Sequence, residues 1–121
     1  MIDCIMVGIG GFIGSVCRYL IGLIPIEVDN GFPIKTLVIN IIGSFLISVI
    51  AVIASKNKEL SPQIILMLKV GICGGFTTFS TFAYESSGLI KSGHIAAAAL
   101  YVLLSVVMGI AAVFAAEMIV K

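Results

Sequence analysis

Charged residues disappear from two long stretches of this chain. Between Thr36 and Ser55, and again between Ser92 and Ala116, no Asp, Glu, Lys or Arg occurs. Each run reaches the roughly 20 apolar residues needed to cross a hydrocarbon core of about 30 Å. The stretch from Cys4 to about Ile24 is as apolar apart from Arg18, and that from Ser61 to about Ile90 apart from Lys69 and Glu85. The pattern predicts four transmembrane helices, at about 4–24, 36–55, 61–90 and 94–118. The linkers are short: Pro25 to Pro33 with Glu27, Asp29 and Asn30, then Lys56 to Leu60, then Lys91 to Gly93. They leave no room for a soluble domain, so a single all-α integral membrane domain over residues 1–121 is expected.

Composition agrees with the pattern, since 60% of residues are hydrophobic, 11% are charged and the mean hydropathy is +1.26. A secretory signal peptide would have a basic start and a small-residue cleavage site. Here Asp3 stands near the start and no Lys or Arg precedes Arg18, so the first apolar stretch is read as a span. Cys4, Cys17 and Cys73 fall inside predicted spans without CxxC or Cys/His spacing and are read as small packing residues. With His94 the only histidine, neither a zinc site nor a Cys/His nucleophile can be assembled. GIGGFIG is no nucleotide loop, because Ile13 stands where GxGxxG, read from Gly8, requires its last glycine.

Basic residues divide almost evenly between the two sides of the bundle. Lys56, Lys58 and Lys121, with Lys69 further in, flank one side; Lys35, Lys91 and Arg18 flank the other. Cytoplasmic flanks normally carry the excess of Lys and Arg. So weak a bias permits insertion in both orientations, and with it an antiparallel homodimer; one fixed orientation is the alternative. Four helices of one small chain enclose little interior, which also argues for an oligomer. Close helix packing in lipid needs small residues. Gly10 and Gly14, Gly71 and Gly75, and Gly43 with Ser44 and Ser48 supply them.

Polar groups at membrane depth are costly, and each has a functional reading beside a structural one. Asn40 lies just inside a charge-free run. Its amide offers N–H groups to an anion or bonds a neighbouring helix. Arg18 either snorkels to the interface or draws anions into a vestibule. Glu85 either pairs with a cation or lines an aqueous mouth.

The run GGFTTFSTF, residues 74 to 82, is the strongest local anomaly. Gly74 and Gly75 weaken helical continuity, and the hydroxyls of Thr77 and Thr78 compete for backbone carbonyls. A helix broken at membrane depth must be buried in protein or line a polar cavity, and the carbonyls it frees can coordinate a small cation. Phe79 and Phe82 share a face at i, i+3 if the helix resumes, with Ser80 and Thr81 turned elsewhere. Their rings have positive edges that favour an anion; aromatic core packing is the competing account of the same spacing.

GGFIGSVCRY (10 to 19), TLVINIIGSF (36 to 45) and GICGGFTTFSTF (71 to 82), in this order across four spans, resemble the fluoride-channel family known as Fluc or CrcB. The resemblance covers essentially the whole chain, and its third motif is highly specific. It implies a third helix broken mid-membrane and an antiparallel, dual-topology homodimer with two fluoride pores. It implies further that Asn40, Phe79 and Phe82 line the pore, with Ser80, Thr81, Tyr101 and Ser105 supplying polar contacts. Tyr101 and Ser105 rest on alignment of the fourth span, which carries no strong motif. Backbone carbonyls of Gly74 and Thr77 from both subunits would hold a structural Na⁺ that is not transported. Arg18 and Glu85 are candidates for the vestibule. The implied activity is passive efflux of fluoride across the cell membrane, with no enzyme chemistry. A proton-coupled exporter of cationic drugs is the main rival, yet it wants a carboxylate deep in the membrane. Span one has none past Asp3, and Glu85 and Glu117 lie near span ends. An accessory subunit of a larger complex would leave Asn40, Phe79 and Phe82 without a purpose.

Overall fold

A computed structural model describes residues 1–28 and 31–120. Asp29, Asn30 and Lys121, named above for the first linker and the basic flank, lie outside the described residues. Every regular element is helical: α1 (Ile2–Gly22), α2 (Ile34–Lys56), α3 (Pro62–Leu66), a π-helical stretch (Met67–Cys73), α4 (Gly74–Phe76), α5 (Phe79–Lys91) and α6 (Ile95–Ile119). Together they form four helical stretches long and apolar enough to cross a membrane: Ile2–Gly22, Ile34–Lys56, Pro62–Lys91 and Ile95–Ile119.

Proline and lysine set several boundaries. Pro33 and Pro62 stand at the start of α2 and α3, where a missing N–H costs nothing because the first turn has no intrahelical acceptor for it. The open carbonyls at the end of α1 are met from the next helix. Lys35 Nζ donates to the carbonyl of Gly22 at 2.9 Å and to that of Ile24 at 3.3 Å. After α5, Gly93 turns the chain at φ 85°, a conformation open to glycine without a Cβ clash.

α1 packs against the π-helical stretch and α4 through glycines on both sides. A Cβ added at Gly10 or Gly14 would strike the carbonyl of Met67 or Ile72, and one at Gly75 would lie 2.8 Å from the carbonyl of Gly11. The GxxxG spacings of the two segments are thus two halves of one contact, backbone against backbone. α2 packs on α6, and Ser48 Oγ donates to the carbonyl of Val113 at 3.0 Å. Leu37, Leu89, Ala98 and Tyr101 form a small buried cluster, with Phe82 and Leu104 among the side chains laid against it. Of the three cysteines only Cys73 is buried; Cys4 and Cys17 are exposed on α1, so the packing reading holds for one of them. Large apolar side chains such as Phe12, Leu103 and Phe114 face outward, as lipid-facing or partner-facing surface requires.

Candidate functional site

Between α4 and α5 the backbone leaves the helix for two residues. Thr77 (φ −84°, ψ 160°) and Thr78 (φ −152°, ψ 122°) are both extended. Side chains satisfy the groups this exposes. Asn40, on α2, meets Thr78 with both ends of its amide: the Thr78 N–H donates to Asn40 Oδ1 at 2.9 Å, and Asn40 Nδ2 donates to the Thr78 carbonyl at 3.2 Å. Thr78 in turn caps α5, its Oγ1 accepting from the Thr81 N–H at 3.2 Å. Arg18 Nε donates to the Gly75 carbonyl at 3.2 Å, which ties α1 to the third span.

Two cavities meet at Thr78. One, of about 410 Å³, is lined by Asn40, Gly74, Thr77, Phe79, Phe82 and Ser105 among others. Phe79 and Phe82 lie with ring centroids 5.7 Å apart at 52° between planes. Phe82 also meets Tyr101 edge-on, at 5.1 Å and 60°. Phe79 is 79% exposed in the isolated chain, whereas Phe82 is half-buried, so the two rings of the pair have different surroundings. Ser105, on α6, also lines this cavity, and its buried Oγ has no hydrogen-bond partner among the described residues. A buried hydroxyl without a partner is rare enough to demand an account.

The other cavity, of about 1190 Å³, is lined by Arg18, Lys35, Thr36, Thr81, Glu85 and His94 among others. Glu85 accepts two hydroxyls there: Thr36 Oγ1 donates to Oε2 at 3.0 Å and Tyr101 Oη to Oε1 at 2.9 Å. Tyr101 itself is fully buried and reaches this cavity only through Glu85. Glu85 lines this cavity with two hydroxyls as its hydrogen-bond partners.

The fold thus gathers six expected residues, Asn40, Gly74, Thr77, Phe79, Phe82 and Ser105, around the first cavity. Arg18, Thr81 and Glu85 line the second. Ser80 lines neither; its hydroxyl lies 3.4 Å from that of Thr78. Thr36 escaped notice in the sequence, although it stands one helical turn before Asn40 and therefore on the same face of α2. The carbonyls of Gly75 and Thr78 as acceptors for Arg18 and Asn40 left no trace in residue type at all.

Comparison with known proteins places the chain among relatives. The family model described as CrcB-like protein, Camphor Resistance (CrcB), matches residues 5–117. A protein of Chlorobaculum tepidum named fluoride-specific ion channel FluC is 45% identical over 121 residues, covering 100% of this chain and 96% of the relative. One of the same name from Gloeothece citriformis is 40% identical, covering 100% and 98%. Another, from Agrobacterium fabrum, is 42% identical, covering 95% and 93%.

Proposed function

Because the chain belongs to the CrcB family, we propose that it carries fluoride out of the cell through the cavity that joins Asn40, Phe79, Phe82 and Ser105. It is a multi-pass membrane protein and a fluoride channel, not an enzyme. The observation that carries the path is one cavity that brings together Asn40, the phenylalanine pair and Ser105, whose buried hydroxyl has no partner among the described residues. A free O–H donor and the positive edges of two rings are what a small anion needs once it sheds water. Asn40 commits one Nδ2 hydrogen to Thr78 and keeps the other for an anion. Thr81 and Arg18 line the wider cavity that serves as the mouth, and Tyr101 holds the Glu85 carboxylate with a hydroxyl at its edge. Ser80 lies at the exposed start of α5, beside Thr78. Fluoride enters cells as neutral hydrogen fluoride and is trapped as the anion. An inside-negative potential then drives it out at about 2.3 kcal/mol per charge per 100 mV, without pump or nucleotide.

The working unit in this proposal is an antiparallel homodimer of oppositely inserted copies, its third spans broken mid-membrane at Thr77 and Thr78, with a structural Na⁺ between the copies that is not transported. The chain's own chemistry fits such an ion. In a continuous helix the Gly74 carbonyl accepts from the N–H of residue 78 and the Thr77 carbonyl from that of residue 81. Here the Thr78 N–H goes to Asn40 and the Thr81 N–H to Thr78 Oγ1. Gly74 and Thr77 therefore offer carbonyl oxygens stripped of those donors, the hard ligands a small cation prefers. When bound, Na⁺ would be coordinated by these dipoles and tie the two copies together.

The test is efflux from liposomes that hold the purified protein, followed with a fluoride electrode against chloride-loaded liposomes. Fluoride should leave far faster than from empty liposomes while chloride stays. Equal chloride flux, or fluoride flux no greater than from empty liposomes, removes the proposal.

A further inference from the structure

Asn40 sits where both ion readings meet, yet its two side-chain hydrogen bonds go to backbone and not to open cavity. The bond that matters most is the acceptance of the Thr78 N–H by Oδ1 at 2.9 Å. That N–H is the donor a continuous helix would give to Gly74. We infer that Asn40 is the positioning residue of the cation site: by capturing the Thr78 amide from a different helix, it keeps the Gly74 carbonyl free for Na⁺. This inference rests on the proposed structural Na⁺ and assigns to a residue of the anion path a second task in cation binding.

Two further contacts narrow which oxygens stay available. Arg18 Nε occupies the Gly75 carbonyl, and Asn40 Nδ2 occupies that of Thr78. The Cys73 carbonyl takes both the backbone N–H and the hydroxyl of Thr77. The carbonyls on either side of Gly74, and the one just past Thr77, are thus already engaged. Without the Asn40 acceptor, Thr78 could return its N–H to Gly74, which closes the helix over the ligand. A continuous helix would also carry Phe79 to a different phase, so anion path and cation site would fail together.

Two substitutions separate this task from general support. Asn40→Leu removes acceptor and donor alike; Asn40→Asp keeps an oxygen that accepts the Thr78 N–H and loses only the amide donor. The readout is the rise in melting temperature that Na⁺ adds to the purified protein in detergent over N-methylglucamine, titrated to give an apparent Na⁺ affinity. Wild type should show a saturable rise. Asn40→Leu should weaken apparent Na⁺ affinity by about tenfold or more, because in a homodimer both Gly74 carbonyls are withdrawn from the ion. Asn40→Asp should keep it within about threefold of wild type, or tighten it, while its carboxylate repels fluoride and lowers flux. A merely structural role would lower the melting temperature equally in both salts and leave the Na⁺ increment alone, which overturns the inference. So would an Asn40→Asp protein that loses the increment as fully as Asn40→Leu. If Asn40→Leu does not assemble, Asn40→Asp decides alone: increment kept supports the inference, increment lost overturns it. A wild-type protein with no Na⁺ increment sinks the Na⁺ reading itself, and the inference falls with it.

Discussion

At the scale of single residues, the two phenylalanines of the candidate path ought to behave differently. Phe82 packs edge-on against Tyr101 within the chain, whereas Phe79 is largely exposed. Phe82→Ile should lower fluoride flux and also cost about 1 kcal/mol of stability through the lost aromatic pair. Phe79→Ile should lower flux with little change in the stability of the subunit. Flux in liposomes and thermal unfolding in detergent measure the two effects separately, and normal flux in both variants returns the rings to ordinary packing. Tyr101→Phe removes one of the two hydroxyls on Glu85 and should destabilise by about 1 kcal/mol while slowing fluoride entry. Unchanged flux in that variant would show Tyr101 to be packing only. Asn40, Phe79 and Phe82 were visible in the chain as polar or aromatic side chains in an apolar background, although their spacing left helix packing open and only the family motifs singled out a path. The partner of Asn40 was not, because a backbone amide 38 positions away carries no signature of its own.

At the scale of elements, the contact between α1 and the third span tolerates almost no added volume. Gly10→Ala or Gly14→Ala would drive a methyl into a backbone carbonyl, which cannot swing aside as a side chain tip can. Each should cost about 1–3 kcal/mol, read as a lower melting temperature, while Gly8→Ala, with nothing within 4 Å, should cost far less. Equal losses at Gly8 and Gly10 would contradict the packing described. The four spans could be read from long apolar runs, two of them free of charge and the others interrupted only by Arg18, or by Lys69 and Glu85. The π-helical turn over Met67–Cys73 could not. Its residues include good helix formers, and nothing in their types marks a wide turn.

At the scale of the whole molecule, the even division of basic residues makes insertion easy to bias. Adding three lysines to the flank that holds Lys56 and Lys58 should favour one orientation, and adding them beside Lys35 and Lys91 the other. If the channel is an antiparallel dimer, each variant alone should lose most of its fluoride flux, and co-expression of the two should restore it. Full flux from either variant by itself would favour a single orientation.

The meeting of two cavities at Thr78 has an electrical consequence. A mouth of about 1190 Å³, once filled with water, conducts ions freely and sustains little voltage. In the proposed channel a larger share of the membrane potential would then fall across the partition where Thr78, Asn40 and the phenylalanine pair line the smaller cavity. Substitutions at that partition should therefore alter the voltage dependence of the current, while those in the wide mouth should change only its size.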